Sequence, residues 1–497
     1  MPDKSPRPAL GFSFFLRALM LTGTAALCLL LLPRAFAAGP NVLFIAVDDL
    51  RDDMGCYGDP EALTPNLDSL AATGMLFNRA YSQQALCNPS RVSLLTSRRP
   101  DTLRTWNLTR GFRFDKSVVT LPELFKDHGY FTQDIGKIYH NWREEGHADY
   151  PGSWSVPPTY HRGTHGQDKP VVDGPLPPDF STDPRTECRD VPDSAYYDGR
   201  IAQEAIQALE GFAKNPDQPF FLAVGFWKPH LPFNAPKRYW DLYDREKLSL
   251  PEPALADASI PQIALENGPE FSKNGPSGDK LTPAAVRELR HGYLACVSYL
   301  DAQVGKLLDE LDRLGLSDNT IVVFWSDHGF HLGELGLWAK CTNFELDARV
   351  PLLIRVPGTL TAGETTDAMV ELLDLYPTLA ELCNLPLPEG VEGVSLVPVL
   401  EDPAAEVKPA AYTQHPRPAY YQGAVPEQMG YSVRVGDYRY TEWRDWASGE
   451  VIAAELYDYS TDPDETLNRV DDPALADALR ECQARLYEYT PAPGKTL

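Results

Sequence analysis

Basic residues are scarce in this chain: 45 Lys and Arg stand against 70 Asp and Glu, a formal net charge of -25. A surface that acidic repels phosphate backbones, which excludes nucleic acid as a partner. An anionic ligand would have to be drawn in by a local cationic pocket instead of by the field of the whole molecule. Cysteine is sparse too, and neither a CxxC pair nor a metal-finger spacing occurs. Apart from Cys28, the set is Cys56, Cys87, Cys188, Cys296, Cys341, Cys383 and Cys482. These are irregularly spaced and odd in number, which excludes a disulfide scaffold and leaves at least one thiol unpaired in an oxidising compartment. Internal repeats and low-complexity tracts are absent, so neither a solenoid nor a tail is expected. Long apolar runs are missing as well, except for Ala18 to Leu32. That run is too short for a comfortable membrane span. It follows Lys4, Arg7 and Arg17 and precedes Ala35-Phe36-Ala37, the layout of a secretory signal over residues 1–37, with an uncleaved anchor as the alternative. The mature protein is expected to be secreted or periplasmic, with no stable membrane span.

What remains is long enough for more than one core. NVLFIAV (41–47) is a continuous apolar run that reads as a strand buried on both faces, and it ends in Asp48-Asp49. TIVVFWS (320–326) repeats the design and ends in Asp327-His328, while PFFLAVGF (219–226) runs into WKPHLPF. Between them, residues 194–215, 282–315 and 372–385 carry apolar side chains at helical spacing. Strand alternating with helix predicts an α/β fold with a mainly parallel central sheet, whose ligands sit at the carboxyl ends of the strands. Residues 149–190 are dense in Pro, Gly and Asp and read as a long surface loop rimming the site. From about 415 the pattern changes: YSVRVGDYRYTEW (431–443) is a hairpin about Gly436-Asp437, and a helix closes the chain. The organisation expected is a signal (1–37), a catalytic domain (38–415) and a small α+β C-terminal domain (416–497) with a short antiparallel sheet.

Asp48, Asp49, Asp327 and His328 stand at two strand ends. Each pair alone reads equally well as a strand terminus or a helix cap. If the strands are neighbours, the carboxylates converge, and they need a cation to sit together. Oxygen donors favour Ca²⁺ or Mg²⁺, and the imidazole leaves a transition metal open. Cys87 lies at the start of the helix NPSRVSLLTSR, where the helix dipole stabilises a thiolate or another anionic nucleophile, and Arg91 follows one turn later. A buried core cysteine is the other reading of that pattern.

Cys87-Asn88-Pro89-Ser90-Arg91, followed by Leu95-Thr96-Ser97-Arg98, resembles the signature of the type I sulfatases, whose Cys is oxidised after translation to Cα-formylglycine. The family has Gly where Ser97 stands. NVLFIAVDDLRDDMGCYGD, TPNLDSLAATGMLF, SYLDAQVGKLLDEL, SDHGFHLGELGLWAK, RVPLLIRVPG and ELYDYSTDPDETLN extend the likeness over nearly all of the mature chain. RRPDT, GKIYH, KPHLPF and WAKCTNF are similar to the iduronate-2-sulfatase group. The resemblance implies an alkaline-phosphatase-like sandwich and an exported sulfatase acting on a sulfated oligosaccharide or polysaccharide, with the 2-O-sulfate of a uronic acid as first candidate. It implies one Ca²⁺ per chain held by Asp48, Asp49, Asp327, His328 and the modified Cys87. Arg91 would steady the formylglycine oxygen, and Lys137 and His140 would face the hydrate and the sulfate. His230 and Lys340 would grip the sulfate oxygens, with His230 protonating the leaving alcohol. A formylglycine-generating enzyme is the implied maturation partner.

The chemistry accounts for the modification. One oxygen of the hydrated aldehyde attacks sulfur in line, and loss of a proton from the other ejects sulfate, an exit that a plain Ser or Cys ester lacks. Charge spreads over the peripheral oxygens of the transition state, so placed cations stabilise it. Two positions depart from the animal iduronate-2-sulfatases, both expected near the sugar: Cys341 stands for an aromatic, and Phe330 for Trp. Two other functions fit parts of the pattern, a phosphodiester or phosphonate hydrolase of the same superfamily and a non-catalytic protein that binds sulfated glycans.

Overall fold

The computed structural model describes residues 39–108, 117–140, 152–159, 168–252, 255–266, 269–273, 275, 277–278 and 281–490. The signal expected over residues 1–37 lies outside them. The run expected at 41–47 is a fully buried strand, β1 (Asn41–Asp48). It belongs to a seven-stranded sheet with β2 (Met75–Phe77), β3 (Phe131–Gly136), β4 (Phe220–Pro229), β5 (Thr320–Ser326), β6 (Leu352–Arg355) and β7 (Thr365–Thr366), in the order β7-β2-β6-β5-β1-β4-β3. β1 pairs parallel with β4 and β5, β3 pairs parallel with β4, and β6 alone runs antiparallel to its neighbours.

Alternate residues of β1 feed opposite layers, as a pleated strand requires. Leu43, Ile45 and Val47 pack with Ile201 and Ala205 of α3 (Tyr197–Phe212) and Leu289, Tyr293 and Val297 of α5 (Pro283–Arg313). Val42, Phe44 and Ala46 pack with Val92 and Leu95 of α2 (Cys87–Thr96) and Leu375 and Leu379 of α6 (Leu375–Leu382). Here α1 is Pro65–Thr73 and α4 is Pro269–Lys273. Each large apolar side chain so buried contributes about 1.5–3 kcal/mol, and this two-sided burial is why the run carries no alternating polar residues. α5 starts as its Thr-Pro start predicts: the Thr282 hydroxyl accepts from the Ala285 amide at 3.2 Å, and Pro283 fills the first turn.

The long loop expected at 149–190 is only partly irregular. Thr186–Arg189 forms a short strand parallel to Phe233–Pro236, with Thr186 and Cys188 turned inward. That two-residue alternation is too brief to stand out among the surrounding prolines. Residues 149–151 and 160–167 of the loop lie outside the described residues. The expected hairpin is present in a four-stranded antiparallel sheet of β8 (Ala410–Arg417), β9 (Gln428–Val435), β10 (Tyr438–Asp445) and β11 (Val451–Asp458). Val435 pairs with Tyr438 across Gly436, whose φ of 52° is the positive angle that such a tight turn needs. The last helix, α7 (Ala476–Tyr489), packs Cys482 and Leu486 onto this sheet against Val433, Tyr440 and Leu456. All seven described cysteines are free thiols. Among the described residues no helix is long and apolar enough to cross a membrane.

Candidate active site

The register of the central sheet brings the two acidic strand ends together. Val47 lies opposite Ser326, so Asp48-Asp49 and Asp327-His328 leave the sheet side by side. Asp49 then adopts φ 64°, a left-handed conformation that costs a non-glycine residue energy and is maintained by its surroundings. Its amide donates to Asp327 Oδ1 at 3.3 Å, its carbonyl accepts from the Tyr293 hydroxyl of α5 at 2.8 Å, and the next amide, Leu50, donates to Ser326 Oγ at 3.0 Å. This reversal turns the Asp49 carboxylate back toward the strand ends.

Cys87 opens α2 and faces this cluster. Its Sγ lies 3.5 Å from Asp48 Oδ1 and 3.3 Å from His328 Nε2. His328 Nδ1 bonds the Gly329 carbonyl at 2.9 Å, which leaves Nε2 aimed inward, 3.5 Å from Asp49 Oδ1 and 3.6 Å from Asp327 Oδ1. One ligand atom each from Asp48, Cys87, Asp327 and His328 falls within 4.8 Å of the others, and all four residues are buried. The helix start does not make Cys87 a thiolate. Burial, reinforced by Asp48, pushes the thiol well above its ordinary pKa despite Lys137 and Lys340.

Four cationic groups surround the acids. Arg91 is fully buried: Nε donates to Asp327 Oδ2 at 2.7 Å, Nη1 to the Lys137 and Ile138 carbonyls at 2.6 and 3.1 Å, and Nη2 to the Val47 carbonyl at 3.1 Å. It ties β1, α2 and the GKIYH turn into one unit, with Asp48 Oδ1 3.9 Å from Nη2. Lys137 Nζ bonds Asp48 Oδ2. Its backbone can approach β4 only because residue 225 is glycine: an added Cβ would sit 2.0 Å from the Lys137 carbonyl oxygen. Lys340 Nζ reaches Asp49 Oδ1 at 2.8 Å and Oδ2 at 3.1 Å. Burial disfavours its charge, but Asp49 and Glu270 outweigh burial and hold its pKa well above the usual lysine value.

His230 sits on the loop after β4. Its Nδ1 bonds the Leu231 carbonyl at 2.7 Å, and Nε2 lies 2.7 Å from Glu270 Oε1 and 3.7 Å from Asp49 Oδ2. Burial opposes protonation, yet Asp49 and Glu270 raise its pKa above the usual histidine value. His140 is the reverse case: burial, then the charge of Lys137, drives its pKa far down. It is therefore neutral, and its Nδ1 is buried without a hydrogen-bond partner among the described residues.

Glu270 of α4 was not legible in the sequence. Its segment carries no periodicity or motif, and only tertiary folding sets its carboxylate against His230 and Lys340. Phe330, expected beside the ligand, lies in the core instead, stacked 5.9 Å from Tyr293 and edge-on to Phe233. Cys341 is also buried, with Leu86, Ala419 and Tyr420 around it. The C-terminal sheet buttresses this wall: the Gln414 amide of β8 donates to the Gln83 carbonyl at 3.0 Å, and Arg417 Nη1 donates to the Cys341 carbonyl at 3.0 Å.

Residues 40–385 match the family model described as Sulfatase, and residues 333–491 match one described as N-sulphoglucosamine sulphohydrolase, C-terminal. Iduronate 2-sulfatase of Mus musculus is 38% identical, covering 85% of this chain and 89% of that protein. Iduronate 2-sulfatase of Homo sapiens is 37% identical, covering 87% and 91%. A protein solved in complex with its substrate D-glucosamine-2-N,6-O-disulfate superposes with a TM-score of 0.73 at 26% identity, covering 92% of this chain and 100% of that one. The phosphonate monoester hydrolase of Agrobacterium radiobacter gives a TM-score of 0.74 at 22% identity, over 90% and 95%, a likeness of fold.

Proposed function

The chain belongs to the sulfatase family and is a sulfuric ester hydrolase, and from that starting point we propose that it desulfates a glycan through formylglycine at residue 87 and a Ca²⁺. The two iduronate 2-sulfatases at 37–38% identity make a uronic acid 2-O-sulfate the first substrate to test. The observation that carries the reading is the meeting of two strand ends, far apart in sequence, with the Cys87 side chain inside a 4.8 Å cluster.

Carboxylate oxygens with one imidazole nitrogen suit a hard divalent cation such as Ca²⁺, and Asp48, Asp49, Asp327, His328 and residue 87 would hold it. When bound, the cation supplies positive charge that makes a hydroxyl of hydrated residue 87 easier to ionise. Arg91 fixes the orientation of Asp327, and Lys137 balances Asp48. Lys340 and His230 offer N–H groups to sulfate oxygens, where charge grows in the transition state. His230 Nε2 is the group placed to protonate the leaving alcohol, and Asp49, 3.7 Å away, favours its protonated form against burial. His140, neutral, acts as a hydrogen-bond partner and not as a charge.

The reading includes export through residues 1–37 to a secreted or periplasmic site, maturation by a formylglycine-generating enzyme, and a catalytic portion ending near 415. Mass spectrometry of the peptide spanning residues 85–98 checks the modification, and sulfate release from defined sulfated disaccharides checks the substrate. An unmodified Cys87 in protein that turns over would refute the nucleophile. Faster hydrolysis of an aryl phosphate diester than of an aryl sulfate would favour the phosphonate hydrolase type of activity.

A further inference from the structure

Glu270 lies against the two side chains that the sulfatase reading assigns to the sulfate. One carboxylate oxygen, Oε1, is 2.7 Å from His230 Nε2, and the other, Oε2, is 3.0 Å from Lys340 Nζ. Two oxygens of a single sulfate would span the same pair of donors, since carboxylate and sulfate have closely similar oxygen spacings. Anions competing for the same N–H groups exclude one another, through both contact and like charge. The three residues also differ in how readily they can move. The side chains of His230 and Lys340 are 5% and 1% exposed, while that of Glu270 is 26% exposed and sits on a five-residue helix at the rim. Glu270 is the least enclosed of the three and the one with a path to solvent, whereas the cations are fixed by Leu231 and Asp49.

We propose that Glu270 is a displaceable competitor for the sulfate subsite: its carboxylate bridges His230 and Lys340 in the resting protein, yields to the incoming sulfate ester, and on returning expels inorganic sulfate. The proposal rests on the sulfatase reading for the identity of the anion. Occupancy by the carboxylate reduces apparent sulfate affinity by the fraction of molecules in which the subsite is open. If the bridge is made in nine molecules of ten, its removal tightens binding about tenfold.

The test is calorimetric titration of inorganic sulfate into the full-length purified protein, alongside turnover of an aryl sulfate. Glu270→Gln and Glu270→Ala should each bind sulfate about tenfold more tightly. Their KM should fall in parallel, and kcat should drop as product release slows. Sulfate binding equal to or weaker than wild type in both variants would overturn the proposal. Glu266→Gln serves as the charge control, because Glu266 pairs with Arg417 at 3.2 Å and belongs to a different contact. An equal gain from that variant would also overturn the proposal, since net charge alone would then explain the effect. A wild type that releases sulfate from no ester, while Glu270→Gln still binds the ion more tightly, would refute the sulfatase reading and leave the competition standing.

Discussion

Lys340 shows how the acids around a buried lysine can outweigh its burial. Burial disfavours its charge, yet Asp49 at 2.8 Å and Glu270 at 3.0 Å hold its pKa well above the usual lysine value. Lys340→Ala should lower kcat/KM about 100- to 1,000-fold, roughly 3–4 kcal/mol of lost transition-state stabilisation, as measured with an aryl sulfate on protein whose melting temperature is checked separately. Arg in its place should not restore the rate, because a planar fork does not fill the volume of a point charge. Cys87→Ala should leave a folded protein with no turnover above background in the same assay. Residues of this kind were legible because their motifs are local: the apolar runs stop abruptly at Asp48-Asp49 and Asp327-His328, and Cys87 stands two residues before Pro89. Glu270 and the inward Phe330 were not, because which side chains meet across the site depends on how distant segments pack.

At the scale of elements, the site rests on the close passage of β4 and the turn after β3. The Lys137 amide donates to the Gly225 carbonyl at 2.8 Å, and Gly136 takes φ 98° to permit it. Gly225→Ala would force a methyl group into the Lys137 backbone. It should cost about 1–3 kcal/mol of stability and shift Lys137 away from Asp48, which urea unfolding and kcat together would register. The helical and strand periods announced most of these elements in advance. Short strands such as β3 and Thr186–Arg189 were not among them, and the pairing of the latter with Phe233–Pro236 is a contact between segments and not a property of either.

Across the whole molecule, Glu345 clamps the C-terminal sheet to the rest. It accepts from the Tyr81 hydroxyl at 2.9 Å and the Tyr459 hydroxyl at 3.2 Å, and it pairs with Arg439. Burial opposes its charge, but Arg439, Arg434 and Arg349 prevail and lower its pKa from 4.5 to about 2. A carboxylate held below its unfolded value stabilises the fold fully above pH near 4.5, and the contribution vanishes as pH falls through about 2. Glu345→Gln should therefore cost about 3 kcal/mol at neutral pH, and the difference from wild type should close as unfolding is measured at progressively lower pH. The same completeness of packing bears on how the protein is made. Cys87 is 2% exposed, walled in by two strand ends, α2 and the C-terminal buttress. An oxidising enzyme that must grip the peptide around this thiol has no access once the chain has closed. On the proposed formylglycine reading, conversion would precede collapse, and chain folded in a host without that enzyme should stay inert when the enzyme is supplied afterwards.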